Sequence, residues 1–413
     1  MSTSRNGFLL LRENGPFRAL WMARTSAYFG DFVMLTAVVL YFFDVGASPT
    51  QLGIALAARV VPSALGPVTG ALADRTDPRQ LMILCDLARF CTLGVIAVFL
   101  PPFAVLVFLM FATGVFTACF APASKGAVPK LVERPRLAQA NSLLGVSHNL
   151  ALALGPVAGA VLFDYAGAQA AFGLNAASYL LSTVILFLLL PRIGLVVEVQ
   201  HNLRAFVGEV RDGLRYLVGH RVARTVAIAL FFGVFFAALD NVALVFLIQG
   251  EGHGGPTAVG LANGLYGALM VVVPLIIAGS GWRLGGDRML LLGFALSATG
   301  LLLVGVAGEL VLILMCYSIA GAGNGLENIA CDTAIGENVD SNVLGRVFGA
   351  VYGPILIAEA GAQLVSGPLL EATSASTVFV VAGCGLFAVL LLAAVMFRNP
   401  AGPGRETTAQ AKV

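Results

Sequence analysis

Twelve apolar segments, each long enough to cross a lipid bilayer, occupy most of the 413-residue chain. A transmembrane helix needs about 20 mostly apolar residues. The segments lie near residues 18–43, 50–73, 80–100, 102–124, 136–163, 169–190, 223–249, 256–279, 288–307, 309–334, 343–370 and 375–397. Turn-forming residues separate them. The pattern predicts an all-α membrane protein with twelve transmembrane helices, called spans one to twelve below.

The composition excludes a soluble protein. Hydrophobic residues make up 58% of the chain and charged residues 11%, whereas soluble domains carry about 25% charged residues. The net charge of +2 gives no reason to expect a nucleic acid partner, because the position of charges matters more than their sum in a membrane protein. The six cysteines lie in apolar segments, without a CxxC pair or a histidine at ligand spacing, so we expect neither disulfides nor a metal site.

The basic residues predict how the chain is oriented. Lys and Arg remain in short loops on the cytoplasmic side. With a cytoplasmic N-terminus, all 24 basic residues except Arg59 and Arg89 fall at the inner ends of spans or in inner segments. The sequence therefore predicts a multi-pass protein of the cell membrane, plasma or bacterial inner, with both termini cytoplasmic. We expect a monomer in contact with membrane lipids.

The longest polar stretch lies between spans six and seven and divides the chain. Within it Phe206, Val210, Leu214 and Leu217 repeat at helical spacing, as in a helix on the membrane surface. A plain connector is favoured over a regulatory element. The predicted parts are a cytoplasmic N-terminus (1–17), a six-helix bundle (18–190), a linker with the amphipathic helix (191–222), a second six-helix bundle (223–397) and a cytoplasmic tail (398–413).

Two pairs of matching features indicate that the halves arose by duplication. Asp31 in span one and Asp240 in span seven are 209 residues apart. The segments 136–146 and 343–353 resemble each other at an offset of 207 residues, and each opens the fifth helix of its half. Internal duplication is common in membrane transporters.

The loop between spans two and three resembles a signature of the major facilitator superfamily. It reads Gly70-Ala-Leu-Ala-Asp74-Arg75-Thr-Asp77-Pro78-Arg79, close to G-x-L-A-D-R-x-G-R-R, with Asp77 and Pro78 in place of the usual Gly and first Arg. Segments similar to the macrolide, multidrug and siderophore exporters of that superfamily are 17–32, 73–89, 135–145, 174–182 and 344–349. Fewer features resemble bacterial lysophospholipid transporters, namely Gly30-Asp31, Pro122 to Gly126 and Glu359.

The resemblance implies a gate at the cytoplasmic surface. We expect Gly70 to let two helices approach closely, and Asp74 to pair with Arg346 and the start of span eleven, so that the bundles close on the cytoplasmic side. We expect a local charge network of Arg75, Arg79, Asp86 and Arg89. Alternatively, these charges only enforce the topology.

Span five carries Gly155-Pro156-Val-Ala-Gly159, which matches the G-P-x-x-G core of a motif associated with antiporters in the superfamily. Glycine removes bulk at a helix contact and proline bends a helix, so the segment could act as a hinge. A mere packing role is the alternative.

Ionisable groups at membrane depth are the strongest functional candidates, because each costs at least about 2.5 kcal/mol at a helix centre. Asp31 ranks first, followed by Glu359 and Asp240 and then Glu327, with Asn241 beside Asp240. Arg59 is the one basic candidate; a structural Asp31–Arg59 pair is an alternative role for Asp31. If all these side chains face one cavity, its carboxylates outnumber its one arginine and would attract a cation. Asp86 and Asp332 are expected at solvated inner ends.

The sequence predicts proton antiport that exports a small amphiphilic organic compound such as a drug, an antibiotic or a siderophore. The proton motive force would drive it without a cofactor, since no Walker sequence occurs. Competition between a proton and the substrate for one carboxylate would suffice as coupling. Alternatives are a lysophospholipid flippase or uptake symporter of the same fold and, more distantly, a membrane enzyme, for which no nucleophile with a base is visible.

Overall fold

The computed structural model describes residues 9–193, 211, 213, 215–280, 285–339 and 343–398. Regular structure in these residues is helical. The main α-helices are Gly15–Asp44, Pro49–Val60, Gly66–Arg75, Pro78–Phe99, Phe103–Leu131, Leu137–Leu189, Arg221–Ala237, Asp240–Val245, Pro256–Ser280, Gly286–Val306, Leu310–Asn338, Leu344–Ala372 and Ala375–Arg398. Ten helical stretches of the described residues are long and apolar enough to cross a membrane. Each of the twelve predicted segments corresponds to helical structure. The prediction of an all-α membrane protein is confirmed.

The 53-residue helix Leu137–Leu189 contains spans five and six. A straight helix of that length would measure about 80 Å, far more than a bilayer core. Gly167 interrupts it with φ 75° and ψ 178°, a backbone conformation that glycine adopts without strain. Span five runs parallel to span one, whereas span six runs antiparallel to it: Tyr179 contacts Asp31 and Asn175 contacts Met34. The chain therefore reverses at Gly167.

Span two is irregular over its length of 49–75. A helix Pro49–Val60 is followed by a 3₁₀ segment, Val61–Leu65, and by a second short helix, Gly66–Arg75. Pro62 lies in the 3₁₀ segment and has no N–H for a regular helical hydrogen bond. Arg59 therefore lies just before a break in its helix.

Span three begins at Asp77 and Pro78, the two residues that differ from the superfamily signature. The Asp77 side chain accepts a hydrogen bond from the backbone N–H of Arg79 at 2.9 Å, and Pro78 occupies the first helical turn. An N-cap carboxylate followed by proline is a strong helix start. The replacement of Gly and Arg by Asp77 and Pro78 thus supplies a cap.

The spans form two bundles, one to six and seven to twelve, whose described residues pack together toward one end. We call the end with Gly15 and Arg398 the terminal face, and the opposite end, with Ser48 and Glu371, the loop face. One continuous apolar core contains buried residues of both bundles toward the loop face, including Leu52 and Ala362. A separate core at the terminal face belongs to the first bundle alone.

The loop face is closed by direct backbone contact between the bundles. A methyl group at Gly53 of span two would overlap the backbone carbonyl of Gln363 in span eleven. The backbone N–H of Thr50 donates to Glu371 at 3.0 Å. On the other side, a methyl group at Gly260 of span eight would lie 2.7 Å from the backbone oxygen of Pro156 in span five.

The bundles are apart toward the terminal face. Methyl groups at Gly70 in span two, or at Gly349 and Gly353 in span eleven, would meet no atom within 4 Å among the described residues. The expectation that Gly70 lies at a close helix contact is therefore wrong for this conformation. The segment Gly66–Arg75 packs against span four, but Gly70 itself faces open space. The structure is closed at the loop face and open toward the terminal face.

Most of the predicted linker helix (Phe206, Val210 and Leu214) lies outside the described residues, as does the tail beyond Arg398. Leu217 is helical and buried.

Candidate functional site

A cavity of about 240 Å³ lies between the two bundles, below the closed loop face. Its wall is mainly apolar, with side chains such as Phe32 and Leu244, but it also contains polar groups. Ten of the 22 lining residues are polar: Thr36, Arg59, Asp240, Asn241, Asn263, Tyr266, Tyr317, Asn324, Glu359 and Gln363. Both bundles contribute, so the shape of the cavity depends on how the bundles are placed relative to each other.

Arg59 brings a positive charge to the cavity from the first bundle. A methyl group at Gly114 of span four would overlap the Arg59 backbone oxygen, so these two helices are in close contact on the side of span two away from the cavity. Of the described residues that line the cavity, Arg59 is the only basic one. Its guanidinium makes no hydrogen bond or ion pair with any described residue, although its charge interacts with Glu359.

Asp240 lies at a break in span seven, where the helix Arg221–Ala237 ends and Asp240–Val245 begins. Its side chain is buried at 5% exposure and accepts a hydrogen bond from the Tyr317 hydroxyl at 2.9 Å. The ring of Tyr266 lies 4.8 Å from the ring of Tyr317. One carboxylate and two phenols from spans seven, eight and ten therefore share one side of the cavity.

Glu359 and Gln363 lie one turn apart on span eleven, and both line the cavity. The Gln363 side-chain nitrogen donates to the Glu359 carboxylate at 3.4 Å. The Gln363 side-chain oxygen is buried and has no hydrogen-bond partner in the described part of the chain. An unpaired buried acceptor is costly, so this atom would gain from a donor brought by a ligand.

Two of the four predicted carboxylates do not line the cavity. Asp31 accepts a hydrogen bond from the Tyr179 hydroxyl at 2.5 Å, within the first bundle. Glu327 is buried and accepts one from Ser297 at 2.6 Å, within the second. The expected surplus of four acids over one arginine is reduced in the cavity to two acids, Asp240 and Glu359. The alternative of an Asp31–Arg59 pair is wrong, because Asp31 contacts span six instead.

The expected charge network at the inner surface takes a different form. Asp86 and Arg89 form an ion pair that is almost completely buried, and Ser182 donates to Asp86 at 2.5 Å. The Arg89 guanidinium also lies over the ring of Tyr179, at 4.2 Å from its centroid. The expectation of a solvated Asp86 is wrong, because Arg89, one turn along the same helix, and Ser182 of span six satisfy its carboxylate inside the bundle.

Arg79 is not part of this ion pair. It donates to the backbone oxygens of Leu186 and Phe187, near the end of span six, at 3.2 and 2.6 Å. Arg75 and Arg346 are exposed. The side chain of Asp74 lies outside the described residues, so the pairing of Asp74 with Arg346 stays a prediction.

The span-five motif contacts two helices at once. Methyl groups at Gly155 and Gly159 would overlap or press against Phe32 and Val33 of span one, whereas Pro156 faces span eight and the cavity. The motif lies where the bundles meet. Whether it serves as a hinge for antiport stays a prediction.

Sequence reasoning missed Tyr266, Tyr317 and Asn263 as cavity residues. Their spacing carried a signal: Asn263 and Tyr266 are three residues apart on span eight, and Tyr317 and Asn324 are seven apart on span ten. Residues at these separations share one helix face. Polar residues that recur on one face of a transmembrane helix indicate a face turned away from lipid.

Two bundles around a central cavity that is open toward one face are an architecture typical of membrane transporters. The sequence profile described as Major Facilitator Superfamily matches residues 20–279 and 230–412. The chain belongs to the major facilitator superfamily, which confirms the resemblance read from its motifs. The family and its relatives point to a transporter rather than an enzyme.

Similar proteins agree with this assignment. The uncharacterized MFS-type transporter YfiS of Bacillus subtilis (strain 168) is 27% identical over 395 residues, which cover 93% of each chain. Macrolide efflux protein A of Streptococcus pyogenes is 20% identical over 352 residues, 80% of this chain and 84% of that protein. Among solved structures, the nucleoside transporter NupG superposes with a TM-score of 0.77 at 12% identity, covering 93% and 99% of the two chains. At this low identity, the structural similarity shows a shared fold and nothing about the substrate.

Proposed function

We propose that the protein exports a small organic compound from the cytoplasm in exchange for protons. The observation that carries the proposal is the central cavity, which is closed at the loop face, is open toward the terminal face and contains the carboxylates of Asp240 and Glu359. The distribution of Lys and Arg supports a cytoplasmic terminal face. The conformation would then be the one that accepts substrate from the cytoplasm.

Coupling follows from competition at the two carboxylates. A substrate entering from the cytoplasm binds the ionised acids and stabilises closure of the bundles over it. When the cavity opens to the outside, protons neutralise the acids and the substrate leaves. Return to the cytoplasm-facing state releases the protons, so one cycle exchanges protons for substrate.

The exporting relative supports the direction of transport. Macrolide efflux protein A shares most of the length of this chain. The sequence segments that resemble macrolide, multidrug and siderophore exporters lie in both bundles. Export is therefore favoured over an uptake symporter or a lysophospholipid flippase, for which the cavity offers no specific observation.

The test uses inside-out membrane vesicles that contain the full-length protein and a trapped pH-sensitive dye. With an acidic lumen, a transported compound should enter the vesicle as protons leave it, and the dye should report a rise in luminal pH. Drugs, siderophores, lysophospholipids and short peptides would be added singly. Compounds that leave the lumen together with protons, or enter without any proton movement, would contradict antiport export.

A further inference from the structure

We propose that the cavity selects small zwitterionic compounds of the amino-acid or short-peptide type. Their carboxylate would bind Arg59, and their ammonium group would bind Asp240 and Glu359. This inference rests on the proposed function for its biological meaning, but it concerns binding, which is measurable without transport.

The first argument is the state of Arg59. The Arg59 guanidinium lines the cavity and has no hydrogen-bonding partner among the described residues, so its N–H donors are available to a ligand. A planar fork of N–H donors matches a carboxylate better than any other common organic group. An anionic group of the ligand would satisfy Arg59, whereas a purely cationic drug would be repelled by it.

The second argument is the set of acceptor groups that the second bundle contributes. Asp240 and Glu359 both line the cavity from the second bundle, and the unpartnered side-chain oxygen of Gln363 adds another acceptor. Carboxylates and an amide oxygen together accept hydrogen bonds and carry negative charge. An ammonium group has three N–H donors and a positive charge, so it complements these acceptor groups.

The third argument is that the two charges belong to different bundles. Arg59 lies on span two, whereas Asp240 and Glu359 lie on spans seven and eleven. A compound with one charge pairs with a charged group of one bundle only. A zwitterion bridges both bundles, and its binding energy can therefore favour their closure around it.

The fourth argument is size and polarity. A volume of about 240 Å³ is below the roughly 300–1,000 Å³ of pockets for drug-sized ligands. The lining is mainly apolar, as in such pockets, but its polar groups include two carboxylates and a guanidinium. A small, strongly polar solute fits this lining better than the amphiphilic compound expected from the sequence.

The experiment measures binding to the purified full-length protein in detergent by isothermal titration calorimetry. The probes are L-alanine, L-alanyl-L-alanine and L-alanyl-L-tyrosine, each compared with its carboxyl-terminal amide and its N-acetyl derivative. We expect at least one of the three zwitterions to bind ten-fold or more tightly than both of its blocked forms. If no zwitterion exceeds its blocked forms, the inference is wrong.

Substitutions test which residue binds the carboxylate of the ligand and which binds its ammonium group. In Arg59→Gln the advantage of the zwitterion over its amide should fall to less than two-fold, and Arg59→Lys should retain part of it. In Glu359→Gln the advantage over the N-acetyl derivative should fall instead. Arg134→Gln, at an exposed position on the terminal face, is the matched control and should bind like wild type. An unchanged preference in Arg59→Gln, with thermal unfolding at the wild-type temperature, would overturn the assignment.

The outcome is separable from that of the proposed function. Zwitterion selectivity without any proton movement in vesicles would reject antiport and leave this inference standing. Proton-coupled movement of a cationic drug, with no zwitterion preferred over its blocked forms, would do the reverse.

Discussion

Tyr317 donates its hydroxyl hydrogen to the carboxylate of Asp240, with 2.9 Å between the two oxygen atoms. The contact joins span ten to span seven at the wall of the central cavity. Because both side chains are almost completely buried, neither can replace the bond with bulk water. The pair therefore contributes to the stability of the second bundle as well as to the shape of the cavity.

Replacement of Tyr317 by Phe should destabilise the protein by about 1–3 kcal/mol, the cost of a buried group left without its partner. The matched control is Tyr41→Phe, since the Tyr41 hydroxyl makes no hydrogen bond within the described ranges. That control should stay within about 0.5 kcal/mol of wild type. Equilibrium unfolding in detergent micelles measures both. Equal effects of the two variants would mean that the hydroxyl of Tyr317 contributes nothing.

The closed loop face depends on Gly53. Alanine at this position would overlap the backbone of span eleven, so Gly53→Ala should disfavour closure of the loop face and lower the transport rate several-fold. Gly94→Ala is the control, because a methyl group there meets no described atom within 4 Å. Accessibility of a cysteine placed in the cavity to a membrane-impermeant thiol reagent, added from the loop face, should rise in the first variant only. No rise would argue against contact between the bundles at Gly53.

The buried pair of Asp86 and Arg89 should behave differently from an exposed one. Asp86→Asn leaves a buried guanidinium without its counter-charge and should cost about 3–5 kcal/mol. The double variant Asp86→Leu/Arg89→Met removes both charges and should be less destabilising than the single one. Glu13→Gln, in the exposed pair with Arg136 at 2.6 Å, should cost at most about 1 kcal/mol. A single variant of Asp86 as stable as wild type would contradict the buried pairing.

The cap at the start of span three offers a smaller, local effect. Asp77→Ala should destabilise by about 0.5–2 kcal/mol, whereas Asp77→Gly, the residue usual in the superfamily signature, should cost only a few tenths. Thermal unfolding of the purified variants measures the difference. Equal decreases in stability in both variants would mean that the Asp77 side chain does not act as a cap.

Much of the fold was predictable because its signals are local. The length of each apolar segment predicted twelve spans, and most predicted ends lie within a few residues of a helix end. The helix of span four, in contrast, extends to Leu131, seven residues beyond its predicted end. The pairing of Asp31 with Tyr179, and of Glu327 with Ser297, was not predictable. In a membrane helix that is apolar on nearly every side, the sequence does not indicate which face a single carboxylate occupies.

The candidate site was also predictable in part, because some of its signals are local. Ionisable residues at membrane depth are costly, and this singled out Asp240, Glu359 and Arg59, which the structure places around one cavity. Their common cavity depends on how two bundles meet, and this relation is set by close backbone contacts such as that between Gly53 and Gln363. Contacts over such sequence distances are fixed by tertiary packing.

The central claim is that the cavity carboxylates exchange protons with the transported compound. The most direct measurement is substrate-driven proton release in proteoliposomes of Asp240→Asn, Glu359→Gln and Asp31→Asn, with the exposed Glu337→Gln as control. The account predicts at least a ten-fold loss in one or both cavity variants, while Glu337→Gln keeps the wild-type rate. Wild-type proton release in both cavity variants, with loss confined to Asp31→Asn, would contradict it.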